Sequence, residues 1–397
     1  MMKRVAVIFE SSPFDRKGLF NAVHNRVKGL LDSGQCHVDV YCIQSQDNSF
    51  TRRVRHRVEV PRVDSVTIEG VTYRMMWYRF SIIDSILFDR LSIKPLFFPS
   101  FMRKMVGLLA GYDMLIAHSF VGGLVASEAH ARYGIPYIVT WHGSDIHTHP
   151  HRNSLQLSLT RHIIADARCN FFVSRALLQE SDRIVGDMDV NREVNYNGVS
   201  EGFCRFSEDE RLQLRAKYGI ADNVKVVAFA GNLAAVKNVR TLAPIFQRVS
   251  QLYEGEVVFW VIGDGKLRSA VEADHHGLCN VRFWGNVPSE EMPAIHNCID
   301  VLVLPSLNEG LSLVCLEAVS CGAAVVASDV GGNSEIVGKD NVVPLGEHFA
   351  SRVTDGFING MAEKINHLLV NPTTQVVPSD MSWDAAVSKE LLHILSV

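Results

Sequence analysis

Residues 301–332 read VLVLPSLNEGLSLVCLEAVSCGAAVVASDVGG. Val301–Leu304 is a short apolar run of strand type, and Pro305, Ser306, Asn308 and Gly310 break it as loop residues do. From Ser312 to Cys321 the residues Leu313, Leu316, Ala318 and Val319 make one apolar helical face. Gly322 ends that helix, and Ala323–Ala327 reads as a second buried strand. Strand, loop, helix and strand in that order make one unit of a parallel α/β sheet. The loop therefore delivers the helix N-terminus to the carboxyl edge of the strands.

In open α/β sheets ligands bind outside that edge. The N–H groups of Gly310, Leu311 and Ser312 point at whatever sits there, and the helix dipole favours an anion. Glu309 in the loop and Glu317 in the helix flank the anion position. Were the span wholly helical, the two carboxylates would lie about 12 Å apart along the axis, at roughly 1.5 Å per residue. That separation suits an extended ligand with a phosphate in the middle and hydroxyls at both ends, the shape of a nucleotide sugar.

Glu309, seven residues and Glu317, set within PSLNEGLSLVCLEAVSCGAAVVASDVGG, resemble the EX7E signature of the retaining glycosyltransferases of family GT4. The resemblance implies an α/β chain of GT-B fold, with two Rossmann-like doubly wound domains facing a central cleft. It divides the chain into an acceptor-side domain over 1–199, with a C-terminal helix over 384–397 packing back on it, and a donor-binding domain over 200–383. It is strong over 200–383, moderate over 111–199 and weak over 1–110.

The composition fits such a chain. Its 397 residues predict two or three domains, and 47% hydrophobic content is ample for two cores. No run of 18 apolar residues occurs, so no membrane span is expected. The apolar part of MMKRVAVIFESSPF is only Val5–Phe9, which reads as a first strand and not as a signal peptide. Eight cysteines lack metal spacing, so a reduced, cytoplasmic chain without disulfides or zinc is expected. The net charge of −4 hides an asymmetry: residues 1–110 hold 17 Lys and Arg against 10 Asp and Glu. The basic part includes RRVRHRVEVPR (52–62) and the stretch from Arg90 to Leu109. It fits either a solvated surface or a contact with an anionic membrane surface or phosphorylated lipid carrier. No binding module accompanies the charge, so nucleic acid is not an expected partner.

In the first domain, the loop after the first strand holds Arg16, Lys17, Gly18 and Leu19. The resemblance puts the acceptor beside this loop, so Arg16, Lys17 and Gly18 are acceptor-side candidates. VDSVTIEGVTYRMMWYRF reads as a hairpin turning near Glu69 and Gly70. Thr140-Trp-His-Gly-Ser-Asp145 ends a later strand and resembles the HGSD loop of the family, whose histidine lies close to the transferred sugar. His142 is thus a catalytic candidate. Asp145 accepts either from an acceptor hydroxyl or from a main-chain N–H. Asn197-Gly198-Val199 resembles the turn that closes the first domain. Asp187-Met-Asp189 matches a metal-binding DxD by chance alone, and the resemblance implies transfer without a metal.

In the second domain, AGNLAAVKN (230–238) resembles the family segment whose Arg and Lys hold the donor diphosphate. Gly231 and Lys237 keep to the pattern, but Asn232 stands where the arginine is usual and brings no charge. GDG (263–265), with Gly263 first, recurs in the family at this place. Gly285, Asn286 and Val287 fall where the family contacts the base. Donor-binding candidates are therefore Gly231, Asn232, Lys237, Gly263, Gly285, Asn286, Val287, Glu309, Gly310, Leu311, Ser312 and Glu317. Glu309, His142 and Lys237 are the catalytic candidates.

The expected reaction moves a sugar from a UDP- or GDP-sugar co-substrate to a glycan or lipid-linked acceptor hydroxyl, with retention, in surface polysaccharide or glycolipid biosynthesis. The enzyme would be cytoplasmic or peripheral on the inner face of the membrane. A GT-B epimerase or hydrolase, or a non-catalytic nucleotide-sugar-binding subunit, is the alternative.

Overall fold

A computed structural model describes residues 2–14, 18–46, 61–96, 98–346 and 354–396. The chain forms two compact units, Met1–Gly198 with Ser382–Val397, and Val199–Met381.

Unit 1 is built on an eight-stranded sheet. Its strands are β1 (Lys3–Glu10), β2 (Cys36–Gln46), β3 (Ser65–Ile68), β4 (Val71–Arg79), β5 (Met114–His118), β6 (Tyr137–Trp141), β7 (Cys169–Phe172) and β8 (Arg192–Val194). Their order is β3-β4-β2-β1-β5-β6-β7-β8. Only β3 runs antiparallel, in a hairpin with β4 that turns at Glu69 and Gly70, as the sequence predicts. β1 is buried on both faces, with Val5 to Phe9 wholly enclosed, which explains an apolar run without alternation. Its core gathers Phe9, Phe20 and Tyr73 with Val387, Leu391 and Ile394 of the helix Trp383–Leu395.

Unit 2 holds β9 (Lys225–Ala230), β10 (Val257–Ile262), β11 (Val281–Gly285), β12 (Val301–Leu304), β13 (Ala324–Ser328) and β14 (Val342–Val343). The order β11-β10-β9-β12-β13-β14 is parallel throughout. Numbered within the unit this is 3-2-1-4-5-6, the doubly wound order, and the direction in which strands are added reverses between β9 and β12. The helix after β12 spans Leu313–Ser320, slightly inside the expected limits. In unit 1 the corresponding reversal lies between β1 and β5. Loops at these two reversals are where each unit can hold a ligand.

Candidate functional site

In unit 2 the loops after β9 and β12 flank the reversal point and are tied together. The amide of Leu307 donates to the carbonyl of Val236 at 2.8 Å. This brings Lys237, in the short 3-10 turn Ala235–Lys237, against Glu309. Lys237 Nζ donates to Glu309 Oε1 at 2.6 Å, with 23% and 11% of the two side chains exposed. The pair is thus held in a partly dry setting but reachable from solvent.

The neighbouring backbone is packed too closely for side chains. Gly263 has φ +118, and a Cβ on it would stand 2.0 Å from the Gly231 carbonyl oxygen. The Gly263 amide donates to the Gly285 carbonyl at 2.8 Å, and the Gly231 amide to that of Ile262 at 2.9 Å. The ends of β9, β10 and β11 thereby form one backbone-lined floor. On the far side Gly331 plays the same part, since its Cβ would lie 2.0 Å from the Glu309 carbonyl oxygen. The Gly332 amide donates to Gly310 at 2.9 Å and fixes that loop.

Gly310, Leu311 and Ser312 lead into the helix Leu313–Ser320 and are buried. Ser312 is its N-cap residue, yet its hydroxyl makes no cap hydrogen bond. Its Oγ is buried without a partner among the described residues. The helix start thus offers uncapped N–H groups, a fitting place for an anion. One turn on, Glu317 keeps 24% of its side chain exposed and lies 3.8 Å from His296 Nε2. Burial pushes the Glu317 carboxyl up to about 7 and His296 down to about 4. A carboxyl poised near neutrality can accept from, or donate to, a hydroxyl.

Asn286 is exposed and Val287 half-buried just beyond β11, and Asn232 turns its Oδ1 towards Gly265. The donor-side candidates therefore lie in loops, at a strand end or in the first turns of a helix at the carboxyl edge of this sheet, Gly285 closing β11 and Glu317 standing one turn into the helix. Arg268 is a residue that no sequence motif marked. It lies beside Gly285, where an added Cβ would come 3.1 Å from its Nη1, and it bonds Asp264 and Glu272. Its only signal in sequence is its place three residues after the GDG turn.

In unit 1, His142 follows β6 and is half-buried. Its Nε2 lies 3.1 Å from Nδ1 of His118, the last residue of β5. Burial and the nearby Arg26 push His142 down to about 3, and burial, His142 and Arg26 hold His118 well below the ordinary histidine range. Both rings are neutral, so one donates to the other. With His118 as donor, His142 retains an N–H on Nδ1. His118 carries no motif and was missed in sequence.

Asp145 is 2% exposed. It accepts from the main-chain N–H groups of His142 at 3.1 Å and Gly143 at 2.8 Å. Of the two partners that the sequence left open, the main-chain N–H groups are met in the fold, which gives Asp145 a positioning role for His142. Burial pushes Asp145 up to about 6 against those hydrogen bonds. Gly18 opens the helix Gly18–Asp32 and is exposed, while Arg16 and Lys17 lie outside the described residues. So do residues 52–60 of the basic stretch. Cys169, Glu193 and His393 converge within 4.8 Å. Burial and Glu193 push the Cys169 thiol up, which opposes thiolate ligation. The cluster ties the helix Trp383–Leu395 to the sheet through His393 and Glu193, 3.1 Å apart.

The family profile described as "Glycosyl transferases group 1" matches residues 224–371, and "Glycosyl transferase 4-like domain" matches residues 18–198. An uncharacterized glycosyltransferase of Methanocaldococcus jannaschii is 24% identical over 75% of this chain and 78% of its own length. TuaC of Bacillus subtilis, a candidate teichuronic acid biosynthesis glycosyltransferase, is 25% identical over 57% of this chain and 56% of its own. Among solved structures, HepE from Anabaena in complex with UDP superposes with TM-score 0.68 at 16% identity, covering all of both chains.

Proposed function

The chain belongs to the group 1 glycosyltransferases, enzymes of GT-B fold that use nucleotide sugars, and on that premise we propose that it moves a sugar from a UDP-sugar to an acceptor hydroxyl with retention at the anomeric carbon. The observation that carries the assignment is the Lys237–Glu309 pair beside the uncapped start of the helix Leu313–Ser320. Lys237 and the amides of Gly310 to Ser312 receive the diphosphate, where negative charge develops as it leaves. Glu309 holds Lys237 and accepts from sugar hydroxyls, and Glu317 takes the ribose hydroxyls. His142, neutral and oriented by His118 and Asp145, donates to a hydroxyl of the transferred sugar. The bond from the anomeric carbon to the phosphate oxygen breaks. The acceptor oxygen bonds the same face, and its proton passes to that phosphate oxygen. No side chain is assigned as nucleophile or general base.

UDP is preferred to GDP because a neighbour in fold, HepE, is solved with UDP. A surface polysaccharide is the proposed product, supported by the name of TuaC and by the basic balance of residues 1–110. The eight free cysteines support a cytoplasmic setting. No helix among the described residues is long and apolar enough to cross a membrane.

Thermal shift with UDP, GDP and ADP tests the donor. Saturating UDP stabilises by mass action, by about 2.7 kcal/mol at a hundredfold excess over Kd. The expected result is a shift with UDP alone, lost in Glu317→Ala. Glu309→Gln and Lys237→Ala should each lower kcat by about 100-fold or more while the fold persists. Near-normal transfer by both variants would sink the assignment.

A further inference from the structure

Unit 1 holds a solvent-open cavity of about 670 Å³, within the roughly 300–1,000 Å³ of small-molecule sites. Glu10 at the end of β1, Ser45 near the end of β2 and Phe120 just after β5 all line it. It therefore stands at the carboxyl edge of this sheet, at the reversal between β1 and β5. Phe80, Phe88, Phe98, Met102, Phe120 and Leu124 give it apolar walls. Its polar groups are largely engaged with each other. Tyr78 donates to Glu10 at 2.6 Å, and Arg152 and Gln156 each donate to Asp89 at 3.1 Å. Burial pushes His149 down to about 4, leaving it neutral. Lys94 and Arg103 line the cavity yet are exposed, so they stand where it meets solvent.

The segment that forms one wall also turns aliphatic side chains outward. Ile83, Ile86, Leu91, Ile93 and Leu96 are 62%, 45%, 58%, 49% and 65% exposed. Arg79, Arg90, Lys94, Arg103 and Lys104, in or close to this segment in sequence, are exposed as well. The two acids of the segment do not offset these cations: Asp84 is buried in a capping box and Asp89 is taken by Arg152. Clustered exposed aliphatics are uncommon on a surface without a partner. Exposed aliphatics interspersed with exposed cations match a bilayer surface carrying anionic lipid.

We propose that the acceptor is a membrane lipid phosphate with a hydroxyl-bearing head group: the segment Ile82–Leu96 seats on an anionic bilayer, the cavity takes the lipid's apolar chain, Lys94 and Arg103 meet its phosphate, and the head-group hydroxyl receives the sugar. This names the acceptor class of the transfer proposed above and rests on that reading, but binding of the lipid does not require the donor.

The test uses the full chain with two probes. The first is sedimentation with vesicles of equal parts phosphatidylcholine and phosphatidylglycerol. The second is calorimetry with farnesyl phosphate below its micellar concentration. Wild type should bind the vesicles in a salt-sensitive manner, and Ile83→Asp/Ile93→Asp should reduce binding by about tenfold or more. Farnesyl phosphate should bind once per chain and about tenfold more weakly to Leu124→Trp, which fills the cavity, with Leu124→Phe as a milder fill giving a smaller loss. The UDP thermal shift should be unchanged in all these variants. Farnesyl phosphate binding that is absent, or indifferent to both Leu124 variants, overturns the proposal. So does vesicle binding that is absent or survives the double substitution, and so does a wild-type dimer that the same substitution disperses. Lipid results as expected with no UDP shift in wild type would instead count against the donor assignment.

Discussion

Lys237 and Glu309 lie 72 positions apart in sequence and 2.6 Å apart in the fold. Each was legible because each follows a strand end, where ligands of parallel sheets collect. Their pairing was not legible, since it depends on β9 and β12 being neighbours. His118 shows the converse: nothing around it marks a site, and it gains a role only when β5 and β6 pair and set it against His142. Glu317 was legible in position but not in its titration. Its pKa of about 7 stands above the ordinary 4.5 because folding buries it. Below pH 4.5 both folded and unfolded chains hold the proton, so there is no effect. Between 4.5 and 7 the folded chain holds a proton that the unfolded chain has lost, so stability falls as pH rises, and the full cost stands above 7. Glu317→Gln should therefore stabilise the free protein at about pH 8, by about 2 kcal/mol, with little change at about pH 4. Denaturant titrations at the two pH values check this. If ribose hydroxyls donate to the ionised carboxylate, UDP binds about tenfold more weakly at about pH 6 than at about pH 8. That slope should be absent in Glu317→Gln, as calorimetry at both pH values would show.

At the scale of elements, the strand, loop, helix and strand of 301–328 were readable because each changes the periodicity of apolar residues. Strand order was less so, because β-strand neighbours are chosen by crossovers that leave no local mark. The floor made by the ends of β9, β10 and β11 illustrates the gap between a visible glycine and its purpose. Gly263 was visible as part of a GDG turn, but the 2.0 Å approach of its missing Cβ to the Gly231 carbonyl arises from the sheet as a whole. Gly263→Ala must relieve that overlap and also hold φ +118, so it should destabilise unit 2 by about 2–4 kcal/mol. It should also weaken UDP binding by shifting the loop after β10. Gly277 is the control within the same unit, since nothing stands within 4 Å of its Cβ position. Gly277→Ala should change stability by no more than about 0.5 kcal/mol. Calorimetric melts of the two variants, each with and without UDP, make the comparison, and equal melting points would refute a packed floor.

At the scale of the whole chain, unit 1 is discontinuous: it ends at Gly198 and resumes at Ser382. Something must recognise the returning segment, and apolar contact alone specifies poorly which face of a helix docks. Arg26 and Glu390 supply that recognition. Both side chains are wholly buried, with Arg26 Nη1 donating to Glu390 Oε1 at 2.6 Å. Arg26 Nη2 also donates to the carbonyls of Asn195 and Tyr196 at 3.0 Å, so one guanidinium binds the last turn before the exit and the helix after the return. The Asn195 side chain adds a bond to the Ala386 carbonyl at 3.1 Å. Burial pushes Glu390 up even though Arg26 opposes it, so the loss of hydration outweighs the attraction and the pair is a weak source of net stability. Breaking it is another matter. Glu390→Ala leaves a buried guanidinium charge without its counter-ion and should cost about 3–5 kcal/mol. Arg26→Leu/Glu390→Leu removes both charges and should regain most of that loss, with docking of the helix less specific. Denaturant melts of the single and double variants measure the coupling, and protease sensitivity after residue 381 reads the docking. A double variant as unstable as Glu390→Ala would show that the pair is needed for stability itself. A stable double variant whose C-terminal helix is cleaved faster would show that its contribution is to the choice of face.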